Sequence, residues 1–306
     1  MSAEDPAAAQ GESPLSPGKH MISVARLTQV YHVSGEGPVC VAHPGGPGAS
    51  WEYLRAPELE RFLTMVYVEP IGTGDSARLA PDGARYGLDR YVDQVEGLIN
   101  HIGGAAYVLG HSHGGFVMQR YAMRNPAHVA GLIAYCSSPR WDDETGGEAA
   151  RQLDLMTERL AHRQQIKAVV QAWYQGFEPT DEGFTAFLRQ VLPAYFADYW
   201  SNEEAFGPMR ETLRAWLVPG ALADFDDRAA LRALPVPALV LSGRYDFICG
   251  PRWAAETVGA IPDARLVTFE HSGHFAHVEE PDRFAGAVAG FVERADEVAA
   301  HSRLLM

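Results

Sequence analysis

Cysteine is scarce in this chain, with three residues in 306, at positions 40, 136 and 249. So sparse and odd a set excludes a disulfide framework, and the histidines and cysteines nowhere take the spacing of a metal site. Cys40 and Cys136 fall in apolar runs with the pattern of core strands and read as buried thiols, and Cys249 reads as a small packing residue. Positive charge is also short: 25 Lys and Arg stand against 39 Asp and Glu, a formal net charge of −14. That excess argues against a nucleic-acid partner, because gripping phosphates takes clustered cations. No apolar run approaches the roughly 20 residues that a membrane-spanning helix needs, so no membrane partner is expected. Residues 1 to 20 lack the positive start and apolar stretch of a secretion signal. Rich in Ala, Pro, Ser, Gly and Glu without hydrophobic periodicity, they read as a disordered tail, and the chain as cytoplasmic.

The rest of the chain has the makings of a core. A hydrophobic content of 47% with 21% charged residues is that of a globular protein, and 306 residues can bury a large interior. A strand or hairpin pattern runs from Ile22 to Val33. Short apolar runs at Val39–Ala42, Met65–Val68, Ala105–Gly110, Ala238–Ser242 and Arg265–Phe269 read as strands. Trp51 to Phe62 reads as a first helix, and Asp89 to His101 as another, with Val92, Val95, Leu98 and Ile99 on one face. Alternating strands and helices imply an α/β fold, a mostly parallel sheet with helices on both faces. The alternation fails between about Pro139 and Ala233, where the sequence turns helical and aromatic. The expected organisation is a core of residues 21–138 and 234–306, with a helical cap inserted at 139–233.

Chemistry gathers at the strand ends. Gly110-His111-Ser112-His113-Gly114 lies between a strand and a helical run. That arrangement puts a serine on a strained turn, with glycines on either side where a side chain would strike the backbone. Asp246 follows the strand 238–242 and His274 the strand 265–269. Ser112 is the expected nucleophile, His274 the base that takes and returns its proton, and Asp246 the group that orients the imidazole. The order Ser, Asp, His is that of the α/β-hydrolases, unlike chymotrypsin or subtilisin. His43-Pro44-Gly45-Gly46-Pro47-Gly48 directly follows another strand. Its backbone can supply an oxyanion donor from Gly45 or Gly46, with the N–H of His113 as the second. No step of this chemistry calls for a cofactor.

The chain resembles the proline iminopeptidase-like group of α/β-hydrolases over roughly residues 20 to 298. The likeness rests on His43 to Gly48, on Val66 to Ser76 and on Ser272-Gly273-His274. Two departures stand out. Group members usually carry Gly-Gly-Ser-Trp-Gly at the serine, where this chain has His111 and His113, and an Asp-Gln-Arg triplet where this chain has Glu69-Pro70-Ile71. The resemblance implies the fold and the triad; peptidase specificity does not follow from it.

The substrate expected is a small molecule. An aromatic cap shapes a pocket for a bulky or apolar part, with Trp173, Tyr199 and Trp200 as candidate contacts. An aminopeptidase would also need carboxylates for the substrate ammonium, for which Glu69 and Glu204 are candidates. Three readings stand: a cofactor-independent hydrolase of an ester, lactone, thioester or amide; an iminopeptidase-like aminopeptidase; and a ligand-binding protein that keeps the fold without the reaction.

Overall fold

The structure is a computed structural model that describes residues 13–80 and 85–304. Eight strands form one sheet: β1 (Gly18–Val24), β2 (Leu27–Ser34), β3 (Val39–His43), β4 (Thr64–Glu69), β5 (Ala106–His111), β6 (Val129–Tyr135), and, after the two-residue strands β7 (Arg140–Trp141) and β8 (Phe225–Asp226), β9 (Ala238–Gly243) and β10 (Ala264–Phe269). The sheet order is β1-β2-β4-β3-β5-β6-β9-β10. β1, β2 and β4 pair antiparallel, and from β4 to β10 every pairing is parallel. The central parallel strands β3, β5, β6 and β9 are buried along nearly their whole length because both of their faces are covered, whereas the edge strand β10 leaves Arg265 and Leu266 exposed. Val41, Val108 and Leu132 look into one core layer, beneath α1 (Leu88–Ile102) and α2 (His113–Arg124). Their neighbours Cys40, Ala42, Leu109 and Ile133 look into the other.

Between β6 and β9 no strand joins the main sheet. The segment holds α3 (Asp143–Arg159), α4 (Ile166–Gln175), α5 (Asp181–Val191), α6 (Glu203–Thr212) and the short α7 (Arg228–Leu231). Asp142 opens α3 with a capping box, its side chain accepting from Thr145 N while Thr145 Oγ1 accepts from Asp142 N. β7 and β8 pair antiparallel and close the base of this insertion. The chain ends with α8 (Pro251–Ala260), α9 (Ala276–Glu279) and α10 (Pro281–Leu304), and Phe284, Val288 and Phe291 of α10 pack into the second core layer.

Three expectations are corrected. Strand β1 begins at Gly18, inside the segment read as tail, while residues 1–12 of that segment lie outside the described residues. Trp51 to Phe62 is two 3-10 turns, Trp51–Leu54 and Leu59–Arg61, rather than a helix. Pro57 explains the break, since it disfavours helical backbone at Ala56 and has no N–H to continue the ladder. Cys136 lies just beyond β6, with φ of +43°, rather than within a strand.

Candidate active site

Ser112 stands between β5 and α2 with φ 54° and ψ −124°, a conformation that costs energy and that the surroundings must enforce. They do so by close approach. A side chain on Gly110 would collide with the carbonyl of Gly114, and one on Gly114 with the carbonyl of His43. Backbone bonds on either side hold the turn: Ser112 N donates to Tyr135 O at 3.0 Å, and Ser137 Oγ donates to Ser112 O at 2.9 Å.

The loops after β9 and β10 bring an acid and a base together. Asp246 Oδ1 accepts from the N–H groups of Ile248 and Cys249, each at 3.0 Å. Its Oδ2 accepts from His274 Nδ1 at 2.7 Å, with both side chains buried. A carboxylate bonded this way receives the Nδ1 proton and leaves Nε2 as a lone pair. His274 N donates to Tyr195 O of the insertion at 2.6 Å. Ser112 and His274 border the same cavity, of about 60 Å³.

The loop after β3 forms the far wall. Gly45 packs so closely on the serine that an ideal Cβ there would stand 2.6 Å from Ser112 Cβ. The N–H of Gly45 is already used, donating to the Tyr53 hydroxyl at 2.5 Å. Gly46 also borders the cavity, and its N–H makes no hydrogen bond to the described residues. His113 opens α2, where an N–H has no intrahelical acceptor and the helix dipole favours negative charge. The insertion grips this loop: Trp216 N donates to Gly48 O at 2.9 Å and Ser50 N to Arg214 O at 2.8 Å.

The cavity is otherwise apolar. Ala49, Ile248 and Phe275 of the core meet Leu188, Leu192 and Leu213 of the insertion, with Tyr53 and Tyr195 between them, and no Asp, Glu, Lys or Arg is among its lining residues. None of the five residues expected to contact substrate is there. Tyr199 is buried against Phe196 and Phe206, and Trp173 packs behind Tyr195 against Phe247. Trp200 is half-buried between the aromatic clusters of the insertion. Glu204 is exposed on an outer groove with Arg189 and Arg210. Glu69 ends β4 on a separate groove with His32 and Trp51. Burial works against its charge, but bonds from His32 Nε2 (3.0 Å) and the N–H groups of Asp75 and Ser76 outweigh it and hold the carboxyl below its ordinary range. Glu69 therefore fixes its own loop. The residues that sequence reasoning missed, Tyr53, Leu188, Leu192, Tyr195 and Leu213, carry no motif. Proximity to the His43–Gly48 loop was a signal for Tyr53, and the aromatic content of the insertion one for Tyr195.

Two histidines near the serine, His113 and His43, are structural in their contacts. His113 Nε2 donates to Ala221 O at 2.9 Å and His43 Nδ1 to Pro44 O at 2.8 Å. Burial lowers these imidazoles to about 4 and about 3, so both are neutral at physiological pH. Cys136, Asp246 and His274 place a thiol, a carboxylate and an imidazole within 4.8 Å of one another. The carboxylate and imidazole are bonded to each other, and burial holds the thiol protonated, pushing it well above its ordinary value. The set does not suit a metal, which would have to displace the Asp246–His274 bond.

The sheet order and the strand-end site define a class, and sequence comparison agrees. Residues 39–287 match the model of the alpha/beta hydrolase family, and the chain belongs to that family. It is 28% identical over 291 residues to 2-hydroxymuconate semialdehyde hydrolase of Pseudomonas sp. (strain CF600), covering 92% of this chain and 96% of the relative. It is 25% identical over 280 residues to proline iminopeptidase of Heyndrickxia coagulans, covering 86% and 93%. A thermophilic esterase from Thermogutta terrifontis superposes with a TM-score of 0.68 at 22% identity, over 90% of this chain and 98% of the other, and shares the fold.

Proposed function

We propose that the protein is a cofactor-independent serine hydrolase acting on an ester, lactone, thioester or amide with a small, uncharged, partly apolar acyl group. Ser112 Oγ attacks the acyl carbon while its proton passes to His274 Nε2. That proton then leaves with the alcohol, thiol or amine. Water, giving a proton to the same nitrogen, cleaves the acyl-enzyme, and Ser112 recovers its hydrogen. Asp246 holds the Nδ1–H tautomer and stabilises the imidazolium. The N–H groups of Gly46 and His113 receive the oxyanion, with Gly45 withdrawn to Tyr53. The helical insertion acts as a cap that forms one wall of the cavity and excludes water.

One observation carries the reading: a strained serine and a histidine already bonded to a buried aspartate border one apolar cavity. The cavity also weighs against an aminopeptidase. A substrate ammonium would enter among leucines and aromatic rings with no carboxylate beside it, and a buried unpaired charge costs several kcal/mol. Intact mass after fluorophosphonate treatment tests the proposal. Wild type should gain one adduct and Ser112→Ala none, and Ser112→Ala should lose at least about 10³-fold in p-nitrophenyl acetate turnover. Full turnover by Ser112→Ala would sink it.

A further inference from the structure

His111, next to Ser112 in the chain, is buried, and the reaction above gives it no task. Yet both of its ring nitrogens are engaged. Nε2 lies 2.9 Å from the carbonyl oxygen of His274, and Nδ1 lies 2.8 Å from the hydroxyl of Tyr53. A carbonyl only accepts, so Nε2 carries a proton. Burial first, and then the nearby rings of His274 and His277, hold this imidazole well below its ordinary value, so it is neutral and Nδ1 is a lone pair. The Tyr53 hydroxyl therefore donates to Nδ1, while its oxygen accepts the N–H of Gly45 at 2.5 Å. The bonds run in one direction: Gly45 N–H to Tyr53, Tyr53 to His111, His111 to the His274 carbonyl. Tyr53 is also held by its backbone. Its carbonyl accepts from His277 Nε2 at 2.8 Å, and His277 Nδ1 accepts from the Tyr135 hydroxyl at 2.9 Å.

We propose that Tyr53 and His111 are positioning residues for acyl transfer, tying the loop that carries the oxyanion donor to the backbone of the catalytic base. The two ends of this chain of bonds come from the loops after β3 and β10, which are remote in sequence. Gly45 rests against the nucleophile and precedes Gly46. A displacement of Gly45 would move the oxyanion donor off its target, and a displacement of His274 would move the base. Errors of about 1 Å in such geometry cost roughly 100-fold in rate. Bonds aligned in one direction in a low-dielectric wall also polarise one another, so losing either middle member weakens the whole.

The proposal rests on Ser112 being the nucleophile, and the experiment separates the two. Tyr53→Phe keeps the ring and deletes the hydroxyl. His111→Phe keeps a flat ring and deletes both nitrogens, and His111→Gln restores one donor and one acceptor. With p-nitrophenyl acetate and the full chain, each Phe variant should lose roughly 10- to 100-fold in kcat with KM within about twofold. The double variant should be no slower than the worse single, because both substitutions cut the same chain of bonds. His111→Gln should recover most of the rate, which a purely packing role would not allow. Multiplying losses in the double variant, or a wild-type rate in Tyr53→Phe, would overturn the proposal. If His111→Phe does not fold, Tyr53→Phe and His111→Gln decide the matter by the same criteria. No fluorophosphonate adduct on folded wild type would remove both this proposal and the hydrolase reading. An adduct together with multiplying losses would remove this one alone.

Discussion

Glu279, at the end of α9, offers a prediction that needs no substrate. Its carboxyl bridges the helical insertion to the loop of His274, Oε1 accepting from Ala197 N and Oε2 from Gly273 N, both at 2.7 Å. Burial raises it from an ordinary 4.5 to about 7, and the charges of Glu280 and Asp246 push the same way against the two N–H bonds. The folded protein therefore keeps a proton on Glu279 that the unfolded chain has already lost. For a raised carboxyl the associated stability is fully present below about pH 4.5 and is lost as pH rises through about 7. At 1.36 kcal/mol per pKa unit, the shift amounts to about 3 kcal/mol, a large share of a typical folding free energy. Urea unfolding at pH 4.5, 5.5, 6.5 and 7.5 on wild type and Glu279→Gln isolates this group from the other carboxyls. The amide does not ionise but turns a donor toward one of the two N–H groups, so the variant should be the less stable protein at pH 4.5. The gap should then narrow by about 3 kcal/mol by pH 7.5. A gap that stays constant across the range would mean that the N–H bonds fully offset burial, and the reasoning would be wrong.

Two further outcomes follow from packing and charge. Arg140, at the root of the helical insertion, is buried and bonded to Asp142, Glu144 and Glu256, so Arg140→Ala removes the cation that joins them and leaves Glu144 and Glu256 only the more exposed Arg252 and Arg228. Urea unfolding should show a loss of about 3 kcal/mol, and a loss below about 1 kcal/mol would mean that solvent screens the cluster. Leu213→Ala widens the apolar end of the cavity. It should raise kcat/KM for p-nitrophenyl hexanoate relative to the acetate by about 10-fold, on the scale of one or two buried methylenes. An unchanged ratio would place the acyl group elsewhere.

The parts legible in the sequence share one property: each is enforced locally. Ser112 is marked by the glycines its turn requires. The strand before Asp246 stands out because both of its faces are buried, and the edge strand before His274 by its short run of Leu, Val, Thr and Phe; the structure moves their limits by a residue or less at each end. Asp89 to His101 reads as a helix from its apolar stripe and is one, with a residue added at each end. Where reading failed, the deciding partner lay far away in the chain. Aromatic content singled out Trp173, Tyr199 and Trp200, but those rings pack within the helical insertion, and leucines with Tyr195 face the serine. Glu69 offered a charge near the glycine loop, and the tertiary fold engages that charge with His32 and two backbone N–H groups.

What the sequence determined by itself is the fold class, the strand-end placement of Ser112, Asp246 and His274, and the glycine loop facing them. Backbone sterics and hydrophobic period act over a few residues and are written there. Only the tertiary structure decided which glycine N–H is left free, which side chains close the cavity, and that His111 joins Tyr53 to the His274 carbonyl. Those outcomes depend on hydrogen bonds and contacts between loops of separate strands. Their geometry exists only once the sheet has brought the strand ends together.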